Sequence, residues 1–113
     1  MNHGTVNFNN KAFFVGGSDV NSNFLNTAIY FNTSLTRTSA TNIGAKRAVL
    51  AGAANSSYAF FAGGWQSSSV TASNVYAYNT STTYSTATAL SKAVTNLAGG
   101  GIGSYAVFAG GWY

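Results

Sequence analysis

The sequence predicts an all-β protein made of repeated four-stranded antiparallel sheets, and three observations lead there. Segments of the chain recur at a fixed spacing of 47 residues. Each period contains short apolar or alternating runs bounded by Gly, Asn and Ser, the punctuation of strands and tight turns. The composition also favours strands: there are 8 Phe, 7 Tyr and 13 Gly, no Pro, and only 5% of residues are charged.

The repeat is read first because it organises the rest. Ala12-Phe13-Phe14-Val15-Gly16-Gly17, Ala59-Phe60-Phe61-Ala62-Gly63-Gly64 and Ala106-Val107-Phe108-Ala109-Gly110-Gly111 are variants of one segment. At the same offset Asn32-Thr33-Ser34 falls on Asn79-Thr80-Ser81, Leu50-Ala51-Gly52 on Leu97-Ala98-Gly99, and Trp65 on Trp112. No gap is needed. The units are therefore 1–46, 47–93 and a half unit, 94–113, within one repeat domain.

Within the middle unit four strands are expected. The first, residues 47–54, is built of small residues and ends at Asn55-Ser56-Ser57. The second, residues 58–62, is aromatic and closes on Gly63-Gly64, where positive φ or close backbone approach is expected. A polar loop over 66–73 leads to the third strand, 74–78, and a Thr-rich fourth over 83–89 suits a half-exposed outer edge. Four short antiparallel strands in about 47 residues is the size of one propeller blade. Strands crowd near a propeller axis, so a first strand of Ala48, Ala51, Gly52, Ala53 and Ala54 fits the innermost place.

These residues resemble the kelch repeat. An apolar run and Gly pair (Tyr58 to Gly64) precede third-strand aromatics, Tyr76 and Tyr78, and Tyr84 stands where kelch repeats carry a fourth-strand Trp. The earlier unit has Phe13 to Gly17, then Tyr30 and Phe31, with Arg37 in the Trp place. The resemblance covers nearly the whole chain. It implies a β-propeller, usually of six or seven blades, that serves as a binding platform. The structural motif it shares is the set Gly16, Gly17, Gly63, Gly64, Gly110 and Gly111.

Two periods and a further 19 residues amount to about two and a half blades. A blade buries both faces against neighbours, so apolar faces are left over and the ring is expected to be completed by oligomerisation. Three chains closing six or seven blades is the expected assembly, with dimers and larger rings as the alternatives. An excised or designed piece of a longer propeller is the alternative.

The inventory speaks against catalysis. Asp19 and His3 are the only acidic and imidazole side chains, there is no Cys, and no nucleophile elbow or phosphate loop occurs. No cofactor or metal site is expected, since zinc needs Cys or several His and one carboxylate makes a poor calcium site. Asp19, in Ser18-Asp19-Val20-Asn21-Ser22-Asn23, is expected to hold a turn, and His3 to sit in a loose terminal segment. The net charge of +4 reflects missing acids, with Lys46-Arg47 the nearest thing to a basic cluster, so nucleic-acid binding is not expected. No apolar run reaches membrane-spanning length and no signal peptide is recognisable, so no membrane association is expected. The Asn-Ser-Thr-rich composition slightly favours an extracellular or virion surface over the cytoplasm.

Binding is the better expectation. Trp65, Trp112 and Tyr113 follow Gly pairs at the loop end of the second strand, where an aromatic ring could stack on a sugar and nearby Asn and Ser could bond its hydroxyls. The competing role for both Trp residues, as wedges between blades, is favoured because the repeat reproduces them. Ser18 takes their place in the first unit, so the sites would not be equivalent. The sequence thus predicts a non-catalytic self-assembling β-propeller module with glycans as candidate ligands. A phage, virion or cell-surface component and an engineered, ligand-free fragment are the alternatives.

Overall fold

In a computed structural model, residues 3–67 and 70–112 are described, Trp112 through its backbone alone. Among them the protein is all-β, with antiparallel sheets and no helix. The first unit is a meander of β1 (Gly4–Phe8), β2 (Lys11–Val15), β3 (Ala28–Phe31) and β4 (Arg37–Ala40). The second repeats it with β5 (Ala51–Ala54), β6 (Tyr58–Ala62), β9 (Val75–Asn79) and β10 (Tyr84–Ala87). Between β6 and β9 lies a small hairpin, β7 (Trp65–Ser67) with β8 (Val70–Thr71). The third unit is a hairpin of β11 (Thr95–Ile102) and β12 (Tyr105–Trp112).

The first two units keep one register. Phe13 pairs with Tyr30 and Phe14 with Ile29, as Phe60 pairs with Ala77 and Phe61 with Tyr76. The turn chemistry repeats as well. Asn32 Oδ1 accepts from the Ser34 and Thr36 backbone N–H groups, and Asn79 Oδ1 from Ser81 and Thr83. The side chain stands in for a backbone acceptor, which is why Asn recurs there. The Asn-x-Ser triplets at both places are thereby turn-forming elements.

Three local expectations are corrected. The first strand of the middle unit was expected over 47–54, yet extension begins only at Ala51, because Val49 adopts φ 59° and breaks the run. The polar loop expected over 66–73 contains the β7–β8 hairpin. The third and fourth strands run over Val75–Asn79 and Tyr84–Ala87, not 74–78 and 83–89. Val49 is a β-branched residue in the left-handed region, and its repeat counterpart Asn96 has φ 57°. Asn tolerates that backbone where Val does not. Val49→Asn should therefore raise stability by about 1 kcal/mol, read as a higher urea midpoint at unchanged m-value.

The core lies between the first two sheets. From one side come Phe8, Phe13, Val15 and Ala28, from the other Leu50, Phe61, Tyr76 and Tyr78, with Ile43 of the connecting segment. Phe13 stacks on Tyr78 at 5.7 Å between centroids, and Phe61 meets Tyr78 edge-on at 6.2 Å. The units are also bonded through main chain. Gly17 N–H donates to the Arg47 carbonyl and Gly64 N–H to the Val94 carbonyl, both at 2.8 Å.

Near the first strands the backbones themselves touch. A Cβ on Gly52 would overlap the Thr5 carbonyl oxygen, and one on Gly99 would overlap that of Gly52. Thr5, Gly52 and Gly99 are one repeat position. Gly at 52 and 99 is thus required by main-chain contact between the first strands of successive units.

Candidate functional site

The conspicuous concavity follows from the Gly pairs. Gly63 and Gly64 have φ of 70° and 92°, and a Cβ on Gly63 would come within 2.6 Å of the Val94 carbonyl. Any other residue would be strained in backbone and blocked in space. By turning the chain sharply there and at Gly16-Gly17, the pairs send the following loops to the same end of adjacent sheets.

Between these loops runs an open polar groove of about 770 Å³. Asp19, Ser22, Asn23, Phe24, Leu25, Asn26 and Lys46 of the first unit line it, with Gln66 and Ser67 of the second. Asp19 is committed to its own loop. It accepts from the Asn21 and Asn23 N–H groups at 2.9 and 3.0 Å and from the Asn23 side-chain amide at 3.2 Å. The Asn23 backbone bond, then the other two, hold its carboxyl below the usual carboxylate value. It remains ionised near neutrality, and the exposed Lys46 lines the same groove. What the groove offers a ligand is amide and hydroxyl groups, one charge of each sign and the apolar Phe24 and Leu25.

The residues singled out from the sequence are placed differently. Trp65 is half-buried, and its main chain exchanges two bonds with Ala48, at 2.8 and 3.1 Å. Gln66 and Ser67 beside it line the groove, and Trp65 does not. Trp112 is paired in β12 with Thr95, and Tyr113 lies outside the described residues. All six motif glycines have positive φ. Residues of the groove that sequence reasoning passed over, such as Phe24 and Gln66, carry no pattern of their own. Only the turn-forming loop 18–23 hinted at them.

Of the Lys46-Arg47 pair, the nearest thing to a basic cluster in the sequence, Arg47 is turned inward. It is buried, its guanidinium donates to Asn74 Oδ1 at 2.8 Å and to the Lys46 carbonyl at 2.9 Å, and it lies 5.9 Å from the centre of the Tyr76 ring. That leaves Lys46 as the cation of the pair facing solvent.

His3 and Asp19 are not brought together. His3 lines a separate cleft with Phe14 and Arg37, and its ring meets Phe14 edge-on at 6.4 Å. Partial burial is the main reason its imidazole titrates below the ordinary value. Among the described residues no group of three or more His, Cys, Asp or Glu converges on a metal position. No helix among them is long and apolar enough to cross a membrane.

No protein-family model matches the chain, and no curated protein matches it. Solved structures do. One described as "Structure of YjhT" superposes with a TM-score of 0.81 at 16% identity, covering 97% of this chain and 43% of that one. Likeness at that identity shows the shared all-β fold and nothing of activity. The chain spans less than half the length of that protein.

Proposed function

We propose that the chain is a non-catalytic, kelch-like β-propeller module that associates with copies of itself to close a ring. The carrying observation is a difference in exposure between equivalent residues. Phe13 is 1% exposed against the second sheet, whereas Val107, two periods on, is 52% exposed on the outer face of β12. Tyr105 and Ile102, cross-strand partners on that face, are 72% and 75% exposed. At the opposite end Phe14 is half-buried where its counterpart Phe61 is fully buried. Apolar residues exposed in this way are what packing against a further unit would cover, and that supports head-to-tail association.

Native mass spectrometry at low micromolar concentration tests this. A trimer is the expected species, and a well-folded monomer overturns the reading. A second reading, in which the ring presents glycan sites, is favoured by the polar groove that Phe24 helps to line. A glycan array probed with assembled protein should give signals that Gln66→Ala and Lys46→Ala weaken. Silence across the array would remove this second reading.

A further inference from the structure

The main-chain scaffold around the groove recurs one period on, but the side chains lining the groove do not. The bridge between Leu25 and Arg47 has its counterpart in that between Ala72 and Val94. The bridge between Ser18 and Phe24 has its counterpart in the pairing of Trp65 with Thr71. Asp19 and Lys46, by contrast, correspond to Gln66 and Ala93, and Phe24 and Leu25 to Thr71 and Ala72. Backbone geometry is kept where the units join, and the lining is particular to the first junction. The single acidic residue of the chain stands there, in one groove with a lysine.

Both charges are held in place and neither is used up. Asp19 opens a five-residue turn in which its N–H donates to the Asn23 carbonyl and the Ser22 N–H donates to the Asp19 carbonyl. Its Oδ1 accepts from the Asn21 and Asn23 N–H groups, and its Oδ2 from the Asn23 side-chain amide. A carboxylate offers about four acceptor positions, so one is left, on Oδ2. Lys46 is fixed through its neighbour: the Arg47 N–H donates to the Leu25 carbonyl, and the Arg47 guanidinium to the Lys46 carbonyl, both at 2.9 Å. Among the described residues no ion pair joins Asp19 to Lys46. Two unlike charges therefore line one groove of about 770 Å³ without neutralising each other. Their complement is a ligand that carries both signs itself.

We infer that this groove recognises a zwitterionic sugar, a single unit bearing both an ammonium and a carboxylate. The inference rests on the glycan reading of the groove and names the class of glycan. The ammonium donates to Asp19 Oδ2, and the carboxylate accepts from Lys46 Nζ, both as charge-assisted bonds. The amides of Asn23, Asn26 and Gln66 are left for ring hydroxyls, with Phe24 as an apolar surface. A sugar of one charge satisfies one of the two groups and leaves the other facing a neutral partner.

The probe is muramic acid, an amino sugar with a free amine and a carboxylate. It is titrated into the full chain slightly below neutral pH, where the amine is protonated, and binding is followed by NMR at the Asn21 and Asn23 amides. N-acetylmuramic acid lacks the ammonium, glucosamine lacks the carboxylate, and the free amino acid alanine carries both charges without a sugar. Each should bind at least tenfold more weakly than muramic acid. Asp19→Asn should remove the preference over N-acetylmuramic acid. That variant keeps the loop, because Asn32 and Asn79 form the same turn through their own Oδ1 atoms. Lys46→Gln should remove the preference over glucosamine. Muramic acid binding no tighter than the singly charged sugars, preferences that survive both substitutions, or equal binding of alanine overturns the inference. If all the sugars bind alike and Gln66→Ala weakens them, the glycan reading stands and this inference falls. If no sugar binds, both fall.

Discussion

Gly52→Val should yield a chain without a cooperative thermal transition, while Gly100→Ala should melt at or above the temperature of the unaltered protein. Gly52 has no unusual φ, so the objection to a side chain there is contact. Its Cβ would overlap the Thr5 carbonyl oxygen, with the Thr5 carbonyl carbon 2.9 Å away, and both are main chain that cannot rotate aside. Ordinary overpacking costs about 1–3 kcal/mol because neighbouring side chains re-pack. Here relief requires the first two sheets to separate, and with them the Phe13–Tyr78–Phe61 contact. A domain stable by about 5–15 kcal/mol does not survive losing its central interface. Gly100 sits in β11 with nothing within 4 Å of its Cβ position and no positive φ. Alanine there restricts the unfolded chain and should add about 0.4–1 kcal/mol. Circular dichroism melts of the two variants would decide between contact and chain flexibility as the reason for these glycines.

Tyr78→Ala is expected to cost about 3–5 kcal/mol, the range for truncating a large buried aromatic. The side chain is fully buried, meets Phe13, Phe61 and Tyr84, and anchors the segment after β4 through the Thr41 carbonyl. Tyr78→Phe separates the ring from the hydroxyl. It leaves the Thr41 carbonyl without that donor and should cost about 1–2 kcal/mol at neutral pH. The pH dependence has a definite sign. Burial, with a smaller push from Tyr84, raises the folded-state value of Tyr78 well above its ordinary 10.0. The folded protein therefore holds this proton more tightly than the unfolded chain does. The resulting stability is complete below pH 10 and is lost as pH rises from there toward the folded value. Urea midpoints between pH 8 and 11 should fall more steeply for the unaltered protein than for Tyr78→Phe. Parallel curves would show that the hydroxyl is not the group responsible.

The repeat and its strands were legible because strand formation is a local matter of alternation and turn residues. Residues 58–62 and the Gly pair after them carry that pattern directly, and the second strand lies at Tyr58–Ala62. Where pattern was thin, reading failed. Gln66, Ser67, Val70 and Thr71 are too few and too polar to announce a hairpin, yet β7 and β8 pair. Val49 reads as strand by propensity, but its position just before β5 imposes positive φ. Arg47 was placed at the start of a strand, but its burial follows from Asn74 and Tyr76, distant in the chain, which no local pattern ties to it. The loops 18–23 and 66–73 were legible as polar loops, but not their meeting in a groove, since they belong to two units and share no spacing.

The sequence alone determined the all-β class, the 47-residue period, the turn-forming asparagines and the small inner strands, because each depends on residues close in the chain or on identity between repeats. The tertiary structure decided which glycines meet a neighbouring backbone and where the loops converge. It also decided that Arg47 is buried against Asn74 and Tyr76. Those depend on the distance and angle between successive sheets, which are fixed by packing across the Phe13–Tyr78 interface, and no local pattern in the chain encodes them.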